Sequence, residues 1–478
     1  MTREAADRLL ARVWSELDRD PGELGSLAPL PEAALPARLD VSALAVASVA
    51  AASLAGWARI AEPSSIRLDG ARIASAFQGE RIARFDGVAP EVWSPLSGFR
   101  RAGDGWVRTH GNYPHHAAAL RRVLGLTVDG PVAAEDVDAA VAARDARSLA
   151  GEVTAEGGMC VVVAREDPEA DAAWRRTPLV EVERLDTSDR PVGGGRRSAG
   201  PARAPRTEPL ARRRAVGASG AAPLVGIRVL DLTRVIAGPV ATRTLALLGA
   251  DVLRVDPPHP PEIEWQHLET GPGKRSTRLD VRVADDAARL DALLGSADVL
   301  VLGYRPAALD RLGLAPATLA RSHPGLVVAQ LSAWGFDEEA GERGGFDSLV
   351  QAASGISFVE GSPQAPGVLP AQALDHATGY LLAAAIVTLI ERRERRGGAW
   401  LARMSLRRTA AELLGMPRRA APGPAGLDDA VRDAIAEELS GPAGEQRLAA
   451  PAIASPDGPM RWRDAPRRWG SDRPEWAA

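Results

Sequence analysis

The segment that decides the fold class reads GIRVLDLTRVIAGPVATRTLALLGADVLRV, residues 226–255. It begins with a β-rich run over 226–233, breaks at Gly238-Pro239, continues as a helical stretch over 240–248, and ends in a second β-rich run. Strand, helix and strand within so short a segment form a βαβ unit, whose two strands must lie parallel. The segment therefore predicts an α/β domain built on a largely parallel sheet.

The same alternation continues downstream. Short β-rich runs are predicted at 297–302, 326–331 and 400–406, and helices at 306–312, 348–353 and 377–396. Repeated strand–helix units favour a Rossmann-like domain, which we place at residues 223–415.

The region before this domain, residues 1–186, has a different pattern. Helices are predicted at 5–18, 41–58 and 71–77, a short strand at 66–68, and mixed α+β structure from 93 to 185. We expect a smaller α+β domain here. Residues 416–478, rich in Pro, Arg and Trp, are expected to form an extension that wraps a surface.

Residues 187–222 separate the two regions and contain mainly Gly, Pro, Ser, Ala and Arg. Such a composition buries too little apolar surface to offset the entropy lost on ordering. The sequence therefore predicts a disordered linker.

Composition excludes several classes of protein. The 478 residues include 58 basic and 62 acidic side chains, a net charge of −4, which argues against a dedicated nucleic-acid binder. A single cysteine, Cys160, excludes a cysteine-based metal site and an internal disulfide framework. Two apolar runs, 41–58 and 380–390, are interpreted as buried helices, the first because it is mostly Ala and Ser, the second because it is too short to span a bilayer. With no signal peptide at the N-terminus, we expect a cytoplasmic protein without a membrane partner.

Common site motifs are missing from the sequence. No Gly-x-Gly-x-x-Gly follows the first strand, and no Gly-x-Ser-x-Gly elbow is present. The run HGNYPHH, which holds His110, His115 and His116, lacks a further ligand at zinc spacing and is interpreted as polar loop histidines. No metal site is predicted.

A set of segments, taken together and in order, resembles the class III (CaiB/BaiF-type) CoA-transferases. They are 230–243, 248–256, 273–276, 279–280, 297–306, 309–313, 345–355, 374–379 and 397–406. The resemblance implies a Rossmann-like domain with a smaller domain, a homodimer, and CoA transfer between an acyl-CoA thioester and a small carboxylic acid. CoA and acyl-CoA would be substrates, and no tightly bound cofactor is expected.

By resemblance, the catalytic residue is Asp375, which opens the long helix. A carboxylate can attack a thioester carbonyl and give an aspartyl anhydride and then an aspartyl-CoA thioester. The alternative for Asp375 is an ordinary helix N-cap, a position where Asp is favoured.

The resemblance also nominates residues that bind CoA. The candidates are Arg234, Arg254, Lys274, Arg275, Tyr304, Arg305 and Gly355. The Ser354-Gly355 turn, or Gly361, would supply N–H donors to the oxyanion.

This sequence departs from the family pattern at two places, and these departures leave two alternative functions open. Many transferases of this kind carry His and Gln where Arg234 and Ile236 stand, which keeps a catalytically inactive CoA-binding paralogue as one alternative. The racemase branch has a His where Phe346 stands, so an acyl-CoA racemase or isomerase, a second alternative, lacks an obvious base.

The order of the halves is also unusual. Residues 35–186 resemble the family's C-terminal half, yet they precede a segment that resembles its N-terminal half. An internal sequence similarity, called the sequence echo below, relates Asp40 and the alanine-rich helix after it to Asp375 and the alanine-rich helix after that residue. The chain is therefore interpreted as permuted or as a fusion with one copy truncated.

Overall fold

The computed structural model describes residues 2–59, 65–185, 222–423 and 425–477. The predicted linker lies outside the described residues except for Ala222.

Nineteen helices and fifteen strands are present in the described residues. Helices α1 to α10 span Thr2–Glu16, Val41–Ala58, Gly70–Phe77, Gly79–Ile82, Pro114–Leu124, Ala134–Ala142, Ala146–Ala155, Pro168–Arg176, Ala237–Leu247 and Glu264–Glu269. Helices α11 to α19 span Ala284–Leu294, Pro306–Arg311, Pro316–Ser322, Glu338–Glu342, Asp347–Ala353, Ile356–Glu360, Ala373–Arg396, Leu406–Leu414 and Asp429–Ile435. Strands β1 to β8 span Arg84–Phe85, Gly98–Arg101, Trp106–Thr109, Cys160–Val162, Glu181–Leu185, Arg228–Leu232, Asp251–Asp256 and Lys274–Arg278. Strands β9 to β15 span Val299–Leu302, Val327–Ser332, Ala399–Ser405, Ala436–Gly441, Gly444–Ala449, Ala454–Ser455 and Gly458–Pro459, and one 3-10 helix covers Pro21–Ser26.

The central sheet has seven strands in the order β5-β11-β10-β9-β6-β7-β8. Six of them run parallel, and β5 pairs antiparallel with β11 at one edge. Strands β9 and β10, of sequence VLVL and VVAQLS, are buried throughout, as a parallel sheet covered on both faces requires. The α/β class with a mostly parallel sheet, predicted from the βαβ segment, is confirmed.

The N-terminal region is built into this body. Strand β5 completes the central sheet, and α2 packs lengthwise against the long helix α17. All of α2 from Val41 to Gly56 is buried, as is α17 from Ala373 to Glu391. Their alanine-rich surfaces allow the two helices to approach closely.

A smaller sheet, β2-β3-β4, lies beside the main body and carries its own apolar cluster with α5, α6 and α7. At the far edge of the central sheet the C-terminal segment runs along β7 and β8. There the Trp469 indole donates to Asp256 at 3.0 Å, and the Gly470 N–H donates to the Ser276 hydroxyl at 2.9 Å. The boundaries proposed for the four segments of the chain stay predictions.

Two local expectations need correction. The predicted strand at 66–68 is only an isolated bridge between Ile66 and Leu27, because no neighbouring strand extends the pairing. The helix predicted at 377–396 begins at Ala373, which places Asp375 inside its first turn.

Two helices, α2 and α17, are long and apolar enough to cross a membrane by length and composition. Within the structure, 89% of the apolar window of α2 and 100% of that of α17 are buried against other elements. The interpretation of both runs as buried helices is confirmed, but run 380–390 belongs to the 24-residue helix α17, which is not too short to span a bilayer.

Helix α17 approaches α9 at Gly379. A Cβ there would lie 2.5 Å from the Ala237 carbonyl oxygen and 2.9 Å from the Val240 Cβ. We expect Gly379→Ala to lower the free energy of unfolding by about 1–3 kcal/mol, since backbone must move. The matched control, Gly151→Ala in α7, has nothing within 4 Å and should gain up to about 1 kcal/mol. Urea denaturation of both variants measures the difference, and equal effects would contradict this packing.

Candidate active site

An open cleft of about 680 Å³, its mouth included, lies at the start of α17. Its walls come from both regions of the chain. The N-terminal region contributes Glu80, Trp93, His110 and Asn112, and the later region contributes Val235, Ile236, Phe346, Asp347 and Asp375. The cleft therefore exists only because the two regions pack together.

Asp375 is the third residue of α17 and is 6% exposed. The N-cap position belongs to Gln372, so the helix-cap interpretation of Asp375 is wrong. Asp40, its counterpart in the sequence echo, does cap its helix and accepts from the Ala43 N–H at 3.1 Å. Within the described residues, the Asp375 carboxylate accepts no hydrogen bond. This carboxylate is available for chemistry.

A second carboxylate, Asp347, holds the start of α17 in place. One oxygen of Asp347 accepts from the Asp375 backbone N–H at 2.9 Å, and the other accepts from the Gln351 amide at 2.5 Å. Gln351 in turn accepts from the Leu369 N–H at 2.9 Å. This chain of hydrogen bonds fixes the backbone beneath the free carboxylate.

Both carboxyl groups are harder to ionise than ordinary aspartates. Burial raises the pKa of Asp375 well above its usual value, and the negative charge of Asp347 raises it further. Burial also raises the pKa of Asp347 to about 6, although hydrogen bonds from the Asp375 N–H and Gln351 oppose this. Because like charges this close disfavour double ionisation, the two groups titrate as a pair.

The loop before α9 forms another wall and carries backbone strain. Val235 has φ of +71°, a left-handed conformation that β-branched residues rarely adopt. Arg234 anchors this loop by donating to Asp256 at 3.2 Å and to the Pro260 carbonyl at 2.8 Å. In the described residues the N–H groups of Ile236 and Ala237 have no backbone partner.

Two of the cations nominated from sequence lie in the interior, away from the cleft. Arg254 is 1% exposed and is paired with Asp256 and Glu262. The Lys274 ammonium contacts Asp231 at 3.1 Å and the Thr242 hydroxyl at 3.0 Å. The structure shows each in an internal ion pair, and their part in CoA binding stays a prediction.

The remaining nominated residues are scattered. Arg275 pairs with Asp251 at 2.7 Å beneath the C-terminal segment, and Arg305 is exposed just before α12. The centroid of the Tyr304 ring lies 6.0 Å from the Arg234 guanidinium carbon. Gly355, with φ of +92°, passes so close to Glu166 that a Cβ would lie 2.4 Å from its backbone nitrogen. Among the nominated residues, only Asp375 lines the cleft, and Arg234 adjoins it.

His110 is a cleft residue that the sequence analysis missed. It follows β3, is buried, and stacks on Phe346 with ring centroids 4.0 Å apart. The polar-loop interpretation is wrong for His110 and for His116, which is buried in the first turn of α5. Burial lowers the pKa of His110 to about 3, so the ring is neutral at pH 7. The strand-like run WVRT just before it was the available signal.

Replacing Asp375 by Asn should stabilise the fold at alkaline pH. A carboxyl group whose folded-state pKa is raised stabilises the fold at low pH, and this contribution is lost as the pH rises through that pKa. Asn stays neutral, so we expect Asp375→Asn to raise the melting temperature at pH 8 and to have a smaller effect at pH 4.5. Thermal unfolding at both pH values measures this, with exposed Asp310→Asn on α12 as the control. A variant less stable than wild type at pH 8 would contradict the proposed electrostatics.

No group of three or more His, Cys, Asp or Glu side chains is placed to hold a metal ion in the described part of the chain.

Comparison with known proteins identifies the later region. Residues 224–423 match the model of CoA-transferase family III. A probable fatty acyl-CoA transferase of Mycobacterium tuberculosis is 34% identical over 193 residues, 37% of this chain and 49% of that protein. The mouse succinyl-CoA:glutarate CoA-transferase is 30% identical over 188 residues, 37% of this chain and 43% of that protein.

Among solved structures, a CaiB/BaiF family protein from Brucella suis matches with a TM-score of 0.38 and 26% identity, over 48% of this chain and 66% of that one. The chain spans about half, or less, of the length of these curated relatives. The similarity to CoA-transferase family III therefore covers residues 224–423 of this chain.

Proposed function

We propose that this protein is a CoA-transferase that moves CoA from an acyl-CoA thioester to a carboxylic acid, with Asp375 as the nucleophile. The observation that carries the proposal is the Asp375 carboxylate itself. It is buried, faces the cleft and accepts no hydrogen bond from the described residues, and Asp347 fixes its backbone. A carboxylate without hydrogen-bond donors is a stronger nucleophile than a solvated one.

The reaction follows from carboxylate and thioester chemistry. An Asp375 oxygen bonds to the thioester carbonyl carbon, the C–S bond breaks, and an anhydride and CoA thiolate result. The thiolate then attacks the aspartyl carbonyl, which releases the first acid as its carboxylate and leaves an aspartyl-CoA thioester. The acceptor carboxylate attacks this thioester, which releases the CoA thiolate and forms a second anhydride with Asp375. The thiolate then attacks the acceptor carbonyl of this anhydride, which gives the new acyl-CoA and restores the Asp375 carboxylate.

Each tetrahedral intermediate carries an oxyanion that needs donors. Our candidates are the N–H groups of Ile236, which lines the cleft, and of Ala237, the residue after it. Neither has a backbone partner among the described residues, and both follow the strained Val235. They replace Gly355 and Gly361, which the structure does not bring to the cleft.

CoA would enter on the side of Arg234, Tyr304 and Arg305. Burial, together with the positive charges of Arg234 and Arg305, lowers the pKa of His115, which supports a common area for the two guanidinium groups. In this proposal the ion pairs of Arg254, Lys274 and Arg275 stabilise strands β7 and β8 and do not contact CoA. Homodimerisation and a cytoplasmic location remain predictions.

The racemase alternative gains one observation, since His110 stacks on Phe346 inside the cleft. Its lowered pKa makes it a weak base, which does not favour proton abstraction. Deuterium incorporation at the α-carbon without exchange of acids would select this alternative over CoA transfer.

Hydroxylamine should trap the activated aspartate. On brief incubation with a productive acyl-CoA, wild type should acquire a hydroxamate on the peptide that holds Asp375, because hydroxylamine attacks anhydrides and thioesters. Asp375→Ala should show no adduct and a loss of transfer of about 10³-fold or more. Mass spectrometry of the digested protein makes the measurement.

The matched control for this experiment is Asp40→Asn, which changes the buried aspartate at the start of α2 and should keep both the adduct and the activity. An adduct that persists in Asp375→Ala would contradict the assignment. CoA binding without an adduct from any acyl-CoA would favour the inactive-paralogue alternative.

The pH dependence of transfer should report the carboxylate pair. Since the ionised form attacks, kcat/KM should fall as the pH decreases through the raised pKa of Asp375, above the range of an ordinary aspartate near 3.9. Asp347→Asn removes the neighbouring negative charge and should move this acidic limb to lower pH. An unchanged limb would show that the two groups do not interact.

A further inference from the structure

Arg108 differs from every other buried cation in the described residues. Seven cationic residues in the described part of the chain are buried, namely Arg59, Arg100, Arg108, Arg243, Arg254, Lys274 and Arg408. Six of them donate hydrogen bonds to carboxylate, hydroxyl or carbonyl oxygens. The Arg108 guanidinium, 7% exposed, donates none to any described residue, and its Nε is buried without a partner.

Two aromatic rings lie against this guanidinium. Its central carbon lies 5.0 Å from the ring centroid of Trp93 and 4.8 Å from that of Phe99. Such contacts stabilise the cation and orient its plane, but they accept no hydrogen bonds from its N–H groups. Arg108 is therefore positioned without being paired.

The strand register places Arg108 on the side of the small sheet that faces the main body. Its cross-strand neighbours are Phe99 and Val161, both of which pack with the main core, whereas Val107 belongs to the separate cluster of the small sheet. Helix α15, which begins with Asp347, contacts β3 and β4 on this side. Arg108 thus lies between the small sheet and the wall of the cleft, behind Trp93.

Burying a cation without hydrogen-bond acceptors is costly, and cation–π contacts offset only part of that cost. Burial lowers the pKa of Arg108, and the negative charge of Asp347 opposes this lowering, but the two side chains form no ion pair. Arg108 does not itself line the cleft, so an anion in the cleft would have to pass Trp93, which does, to supply the missing acceptors. A planar guanidinium that contacts aromatic rings suits two parallel hydrogen bonds to one carboxylate.

We propose that Arg108 binds the distal carboxylate of a dicarboxylic acid, or of its CoA thioester, and so makes the protein selective for dicarboxylic substrates. This inference rests on the proposed function, because Asp375 takes the reacting carbonyl of the substrate. A monocarboxylic acid has no second anionic group to offer Arg108. The phosphates of CoA are expected at the Arg234 and Arg305 side of the cleft.

The test compares acids of matched length as acceptors, malonate to adipate against the monocarboxylates propionate to hexanoate. In wild type we expect a preference for one dicarboxylate. In Arg108→Gln its KM should rise about 30-fold or more, as for the loss of a charged hydrogen-bonded pair, while KM for the matched monocarboxylate should change less than threefold. For Arg108→Lys, which keeps the charge but loses the planar guanidinium, the KM for the dicarboxylate should lie between the values of wild type and Arg108→Gln.

The matched control is Arg100→Gln. Arg100 is a buried arginine on the neighbouring strand β2, but it is paired with Asp138 at 2.7 Å. It should leave the dicarboxylate preference unchanged. Equal losses for both classes of acid in Arg108→Gln would overturn the proposal in favour of a structural role, and a loss confined to CoA binding would overturn it in favour of phosphate recognition.

Direct binding separates this inference from the proposed function. The preferred dicarboxylate, added without acyl-CoA, should raise the melting temperature of wild type and of Arg100→Gln but not of Arg108→Gln. If the dicarboxylate stabilises the protein through Arg108 but no CoA transfer is found, the binding site stands and the proposed transferase function is rejected. If CoA transfer is found but Arg108 has no effect on acid selectivity, the transferase function stands and the binding site is rejected.

Discussion

The packing of the alanine-rich helix α2 against α17 is the contact on which the rest of the structure depends. Both helices are buried almost throughout, and neither could be stable with its apolar surface exposed to water. Small side chains along α2, together with Gly379 on the α9 side of α17, let three helices lie close together. This arrangement holds α17 in place, and Asp347 then fixes Asp375 at the start of that helix.

A consequence is that the N-terminal region is part of the site. It buries one side of α17, completes the sheet with β5, and supplies Trp93 and His110 to the cleft. The family match covers only residues 224–423, yet the cleft at Asp375 needs walls from outside that range. The two regions of the chain therefore form one cleft, and whether their order is rearranged stays a prediction.

The sequence predicted what depends on local pattern. The βαβ segment, the alternation of strands and helices, and the helix of residues 41–58 follow from periodicity and were found where expected. Motif order singled out Asp375, but not its free carboxylate, since the N-cap alternative could be excluded only by locating Gln372. The resemblance nominated Lys274, whereas its partner Asp231, 43 positions away, became visible only in three dimensions. His110 and Arg108 were missed because what distinguishes them is burial beside another segment of the chain.

Three unfavourable features converge on or beside this one cleft. Val235 has a strained backbone, Asp375 is a buried carboxyl group next to a second one, and Arg108 is a buried cation without a hydrogen-bond acceptor. Elsewhere among the described residues, the buried arginines and Lys274 have hydrogen-bonded partners. A fold under selection for stability alone would remove such features, so their concentration at one place indicates a function that requires them. A substrate with a carbonyl for Asp375 and an anionic group for Arg108 would relieve two of the three on binding, and the strained loop would then present its N–H groups to the reacting oxygen.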